Sequence, residues 1–195
     1  MQIIKKFVHT GDVAIDVKQY LLDSKYTNLV FIHGYSSSKN TWDRVTNELS
    51  NCYNITTLDL RGMGRSGRFS DKFTNDVWIN DLIIVLEKLF EQKIILIGHS
   101  LGGWIATNIA SKRPDLVNKL VLVDPYTSAP NDVRKKVRRI PSADIEFRAK
   151  RSKKIKSART PKDLIIEIKK IYPNASKRSI EILSRMWFDL DHILE

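Results

Sequence analysis

The segment Gly98-His99-Ser100-Leu101-Gly102 places a serine between two glycines, directly after the apolar run 94–97. The residues from 103 onward have the pattern of a helix. A serine at the tip of a tight strand-to-helix turn exposes its hydroxyl, and the N-terminus of the following helix offers unpaired backbone N–H groups. The arrangement therefore predicts a nucleophilic serine, Ser100, that attacks acyl groups.

Alternating strand and helix patterns surround this turn. Residues 2–8 and 13–19 alternate apolar and polar positions around Thr10-Gly11-Asp12, which predicts a β-hairpin. Strands are then predicted at 29–32, 55–60, 94–97 and 120–123, and helices at 41–49, 75–90 and 103–112. The runs 29–32, 94–97 and 120–123 are wholly apolar, as in strands buried on both faces. The fold class predicted is α/β, with a doubly wound, mostly parallel sheet.

Four clusters at the ends of these strands resemble the α/β-hydrolase family, of the esterase, lipase and cofactor-free peroxidase type. They are Phe31-Ile32-His33-Gly34-Tyr35, Asp59-Leu60-Arg61-Gly62-Met63-Gly64-Arg65-Ser66, Gly98-His99-Ser100-Leu101-Gly102-Gly103 and Val123-Asp124-Pro125. The resemblance covers residues 1–125, the predicted core. Residues 126–195 resemble the helical lid of that family, with helices predicted at 131–157, 161–172 and 176–194 and with Met186, Trp187 and Phe188 as candidate pocket residues.

The resemblance implies a serine carboxylic-ester hydrolase that acts on a small-molecule acyl substrate without a metal or cofactor. Ser100 is its nucleophile, and the backbone N–H groups of Tyr35 and Leu101 form the oxyanion hole. We expect His33 to be a buried structural histidine, and Asp59 and Arg61 to hydrogen-bond neighbouring loops.

The acid and base of a catalytic triad are not evident in the chain. In the family they follow the serine in the order acid, then histidine. Asp124 is a candidate acid, although a loop-capping role is the alternative. His192 is the only histidine after Ser100, and it is a weak candidate base because it lies in a predicted lid helix. His99 should point away from the serine hydroxyl, and His9 lies in the hairpin.

In the family the acid and the histidine follow later strands, and no such strands are predicted in this chain. The sheet should be incomplete at its C-terminal edge, where the apolar strand 120–123 would invite a homo-oligomer or a complementing chain. As an alternative to an active esterase, the chain is a catalytically impaired hydrolase-like protein that binds a ligand or needs a second chain to complete the triad.

Charge and composition bear on whether the chain binds nucleic acid, spans a membrane or contains disulfides. Residues 131–180 hold 17 of the 33 basic and 5 of the 22 acidic residues, so the basicity belongs to the predicted lid. Nucleic-acid binding is a third hypothesis, but no nucleic-acid motif occurs, and a solvated basic lid is preferred. We expect no membrane span and a cytoplasmic protein, with Cys52 as a semi-buried thiol.

Overall fold

The computed structural model describes residues 1–35, 37–67, 75–125, 160–171, 173–177, 180–181 and 184. The chain divides into two compact units, Met1–Tyr126 and Thr127–Glu195. The first unit contains the predicted catalytic core. The role of the second unit as a lid stays a prediction, and the helices predicted at 131–157 and most of 176–194 lie outside the described residues, as do Met186, Trp187 and Phe188.

The first unit is built on a six-stranded sheet with the order β1-β2-β4-β3-β5-β6. Its strands are β1 Gln2–His9, β2 Ala14–Leu21, β3 Asn28–Ile32, β4 Asn54–Leu58, β5 Ile94–His99 and β6 Val117–Val123. The hairpin β1–β2 and the pair β2–β4 are antiparallel, whereas β4, β3, β5 and β6 run parallel. The predicted α/β class and mostly parallel sheet are therefore confirmed.

The register of the central strands brings the motif residues together at the carboxyl end of the sheet. Ile32 at the end of β3 is paired with Leu58 of β4 and with Gly98 of β5. The residues that follow these three positions are His33, Asp59 and His99. The motifs that are far apart in sequence therefore meet at the carboxyl end of the sheet, where sites of open α/β folds form.

Helices cover the sheet through apolar positions at helical spacing. In the first unit they are α1 Asp43–Leu49, preceded by the short 3-10 helix Lys39–Trp42, then α2 Asn75–Leu89 and α3 Leu101–Lys112. The second unit, taken by itself, contains α4 Pro161–Ile171. In α3, Ile105, Ala106 and Ile109 are fully buried at the i, i+1, i+4 spacing expected of one helix face. No helix among the described residues is long and apolar enough to cross a membrane.

The burial predicted for the last strand is wrong. Val121, Leu122 and Val123 of β6 are 45%, 42% and 41% exposed. Side chains of successive strand residues point to opposite faces, so both faces of this end of β6 are open. The reason is its place at the edge of the sheet, with β5 as its neighbour. Cys52 is likewise exposed rather than semi-buried.

A buried ion cluster holds the loops at the carboxyl end of β3 and β4. The Lys39 ammonium lies 2.7 Å from a carboxylate oxygen of Asp16 and 2.6 Å from one of Asp59. Burial alone would lower the pKa of Lys39, but the two carboxylates outweigh it and raise that pKa above its usual range. The lysine is therefore charged, and it is the buried counter-ion of Asp16 and Asp59, which are 6% and 1% exposed. The exposed Arg65 guanidinium also lies 3.5 Å from a carboxylate oxygen of Asp16.

Replacing Lys39 by Met should destabilise the first unit strongly, because the buried Asp59 would lose its ion pair and the buried Asp16 would retain the pair with the exposed Arg65. We expect a loss of about 3–5 kcal/mol in the free energy of unfolding, measured by urea denaturation. Arg44→Met, which breaks the exposed pair of Arg44 with Glu48, is the matched control and should cost less than about 0.5 kcal/mol. Equal losses in the two variants would contradict the importance of the buried cluster.

Candidate active site

Ser100 occupies a strained turn between β5 and α3. Its backbone has φ 51° and ψ −115°, a region that residues other than glycine rarely adopt. The turn is held by hydrogen bonds on both sides: the Ser100 N–H donates to the Val123 carbonyl at 3.1 Å, and the Ser100 carbonyl accepts from the Gly103 N–H at 3.0 Å. Such strain persists only where the surroundings enforce it, and it is concentrated at functional sites.

Glycines on either side of Ser100 allow the turn to pack this tightly. A Cβ on Gly98 would lie 2.3 Å from the Gly102 carbonyl oxygen, and a Cβ on Gly102 would lie 2.4 Å from the Ile32 carbonyl oxygen. Both neighbours are backbone atoms and cannot swing away as a side chain could. The two flanking glycines of the sequence motif are therefore required by close contacts between backbones.

The loop after β3 runs directly beside Ser100. A Cβ on Gly34 would lie 3.3 Å from the Ser100 Cβ and 3.0 Å from Nδ1 of His99. The next residue, Tyr35, is 57% exposed. On the other side, Leu101 is the first residue of α3, so its N–H has no acceptor within the helix. The structure thus places Gly34 and Leu101 beside Ser100, and the oxyanion hole of Tyr35 and Leu101 stays a prediction.

His33 is the buried, hydrogen-bonded histidine that the sequence predicts. Its side chain is 0% exposed. The Leu60 N–H donates to its Nε2 at 3.0 Å, and its Nδ1 lies 2.7 Å from the Gly34 carbonyl oxygen. Burial lowers the pKa of His33 below its usual range, although the nearby Asp59 carboxylate and the Gly34 carbonyl act in the opposite direction.

Asp59 and Arg61 join neighbouring loops, as expected from the sequence. Asp59 accepts hydrogen bonds from the backbone N–H groups of Lys39 at 2.7 Å and Arg65 at 2.9 Å. Arg61 bridges Asp12 and Asp81, and hydrogen bonds to these carboxylates raise its pKa further. Sequence reasoning missed Lys39, whose position 20 residues before Asp59 carries no local signal.

The candidate acid and base are not assembled around the serine in the part of the chain that the structure describes. Asp124 follows β6 in the left-handed region, with φ 43°, and is exposed. No hydrogen bond or ion pair joins it to another described residue, so its capping role stays a prediction. None of the described histidines hydrogen-bonds to the Ser100 hydroxyl, and His192 lies outside the described residues.

Comparison with known proteins agrees with this geometry. The profile of the alpha/beta hydrolase fold family matches residues 27–165, which include the loops after β3, β4, β5 and β6. The chain therefore belongs to the α/β-hydrolase family. Its relatives are of the esterase and lipase type.

Two relatives illustrate how much of the sequence is shared. A (lyso)-N-acylphosphatidylethanolamine lipase of Bos taurus is 36% identical over 104 residues, which make up 51% of this chain and 30% of that protein. The sn-1-specific diacylglycerol lipase ABHD11 of Danio rerio is 38% identical over 100 residues, 50% of this chain and 31% of that protein. The chain spans about a third of the length of the curated relatives it matches.

Solved structures show the same fold. The crystal structure of E-2-(acetamidomethylene)succinate hydrolase superposes with a TM-score of 0.72 at 21% identity. The match covers 95% of this chain and 64% of that one. At this identity the likeness concerns the fold alone.

Gly102→Ala should destabilise the turn, because the added methyl group would meet the carbonyl oxygens of Ile32 and His33 at 2.4 and 2.6 Å. Alanine is the better helix former by about 1 kcal/mol, so a purely local effect would be stabilising. We expect instead a loss of at least ~2 kcal/mol in urea denaturation. Ser111→Ala, at an exposed position of the same helix, is the control, and a stabilised Gly102→Ala variant would disprove the close contact.

Proposed function

We propose that the chain is the nucleophile-bearing part of a serine carboxylic-ester hydrolase. The observation that carries the proposal is the strained backbone of Ser100 between β5 and α3, with the Gly34 loop in contact beside it. The turn presents one serine hydroxyl beside the N-terminus of a helix. The esterase- and lipase-type relatives support the same class of reaction.

In the proposed reaction, Ser100 Oγ attacks the carbonyl carbon of an ester, and the carbonyl electron pair moves onto its oxygen. The N–H groups of Leu101 and Tyr35 stabilise that oxyanion. The serine proton passes to a base and then to the departing alcohol as the tetrahedral intermediate collapses. Water next attacks the acyl-enzyme by the same route, which releases the carboxylic acid and restores the Ser100 hydroxyl.

The base is the part of this machinery that the described residues do not supply. Without a histidine, a serine hydroxyl keeps its ordinary, poor reactivity, and only the oxyanion hole and substrate binding contribute to the rate. We therefore propose that the histidine comes from a complementing segment or from His192. The alternative is a catalytically impaired protein that still binds an acyl ligand. It is supported by the fact that none of the described histidines hydrogen-bonds to the Ser100 hydroxyl.

The exposed edge strand β6 is where we place the complementing segment. Val121, Leu122 and Val123 are open on both faces, so a single added strand would leave much of their surface in water. A segment that adds a strand together with a helix covers both the edge and a face, as parallel sheets require. We propose that this segment also carries the histidine, and that in its absence β6 pairs with a second copy of the chain.

A fluorophosphonate probe tests the nucleophile. We expect the probe to modify the chain at Ser100, slowly in the absence of the complementing segment, because removing a triad member slows reaction by about 10³-fold or more. The modified residue is identified by peptide mass spectrometry. Ser100→Ala should lose the label, whereas the control Ser111→Ala should keep it. Neither labelling nor turnover of a p-nitrophenyl ester would support the impaired alternative.

Light scattering tests whether the chain associates with a second copy through β6. We expect the isolated chain to associate in a concentration-dependent way, and Leu122→Lys to shift it towards the monomer because charges at strand edges oppose pairing. The matched control is Phe7→Lys on the opposite edge strand β1, where Phe7 is 49% exposed. A stable monomer at all concentrations, or equal effects of the two variants, would argue against pairing through β6.

A further inference from the structure

The His33 side chain joins two loops at the carboxyl end of the sheet. It is closed off from solvent, and it makes no hydrogen bond to the Ser100 hydroxyl. It is fully buried after β3. One ring nitrogen, Nε2, receives the Leu60 N–H from the loop after β4, at 3.0 Å. The other, Nδ1, lies 2.7 Å from the carbonyl oxygen of Gly34, the glycine that contacts Ser100.

These two contacts determine where the ring carries its proton. A backbone N–H can only donate, so Nε2 must accept and carries no proton. The Gly34 carbonyl can only accept, so the proton of the neutral ring is on Nδ1 and is donated to that oxygen. The burial of the ring keeps it uncharged at neutral pH, because burial lowers the pKa of His33.

The Gly34 carbonyl belongs to the same peptide unit as the Tyr35 N–H. In a planar trans peptide the C=O and N–H bonds point in opposite directions, so a bond that holds one also holds the other. Gly34 lacks a Cβ, and a glycine restrains the rotation of its own peptide least. The hydrogen bond from His33 therefore restrains the direction of the Tyr35 N–H.

We propose that His33 is a positioning residue of the oxyanion hole: its Nδ1–H holds the Gly34–Tyr35 peptide so that the Tyr35 N–H faces the acyl oxygen bound over Ser100. This inference rests on the function proposed above, since it gives His33 a role in acyl transfer. The same loop is anchored at its other end, where the Lys39 N–H donates to Asp59 at 2.7 Å. Both ends of the loop after β3 are thus tied to the loop after β4.

Two amide substitutions separate the two contacts of the ring. In His33→Asn the side-chain NH2 reaches about as far as Nδ1, so the donor to Gly34 is kept and the acceptor for Leu60 is lost. In His33→Gln the amide reaches about as far as Nε2, so the acceptor for Leu60 is kept and the donor to Gly34 is lost. Each variant loses one hydrogen bond, so similar melting temperatures are expected, and a general loss of stability would affect both alike.

The first measurement is nitrogen-15 NMR of the intact chain. We expect the His33 ring to be a single Nδ1–H tautomer between pH 6 and 8, and an Nε2–H tautomer would overturn the proposal. Residual dipolar couplings then report the direction of the Tyr35 N–H. They should be retained in His33→Asn and altered in His33→Gln, whereas an unaltered coupling in His33→Gln would show that His33 does not hold this peptide.

The second measurement is the rate of Ser100 modification by the fluorophosphonate. We expect His33→Gln to react at least ~10-fold more slowly than His33→Asn, since losing an oxyanion-hole donor costs about 10²–10³ in rate. Equal rates, or a slower His33→Asn, would overturn the positioning role. Failure of the wild-type chain to react at all would instead refute the nucleophile, while the NMR results would still decide whether His33 orients the peptide.

Discussion

The candidate site depends on the close approach of two backbones, that of the turn between β5 and α3 and that of β3. Gly102 lies against the carbonyl oxygens of Ile32 and His33 with no room for a methyl group, and Gly98 lies equally close to Gly102. This contact draws the start of α3 under the end of β3. The chain passes from strand to helix in a single residue, Ser100, whose strained φ of 51° places the serine at the tip of the turn.

The loop that faces this turn is ordered by groups that do no chemistry themselves. Lys39 and Asp59 form a buried ion pair that also binds the loop backbone, and His33 connects the loop to Leu60. A buried charge is expensive to leave unpaired, so the cluster favours one arrangement of these loops strongly over others. Precise placement of backbone N–H groups is what oxyanion stabilisation requires, because the groups must be in position before charge develops.

The described residues place Ser100 at a strained turn but bring no histidine to its hydroxyl. Parallel strands are normally covered on both faces, yet β6 has three successive apolar residues open to solvent. β6 is the strand at the edge of the sheet, and among the described residues no histidine hydrogen-bonds to the Ser100 hydroxyl. With a histidine supplied by a segment that covers β6, as we propose, reactivity at Ser100 would depend on that segment.

The sequence by itself determined the strands and helices of residues 1–125, the serine turn and the family, because these follow from local periodicity, glycine placement and motif order. It also placed His33 in the interior and predicted hydrogen bonds for Asp59 and Arg61. It did not predict the pairing of Lys39 with Asp16 and Asp59, since ion pairs between residues 20 or more positions apart have no periodic signal. The prediction that the end of β6 is buried was wrong. An apolar run shows that a strand is suited to burial, but it does not show whether other elements pack against that strand. Only the tertiary structure decided which backbone atoms press on the glycines and which nitrogen of His33 faces Gly34, for these depend on the register of strands that pair across the sheet.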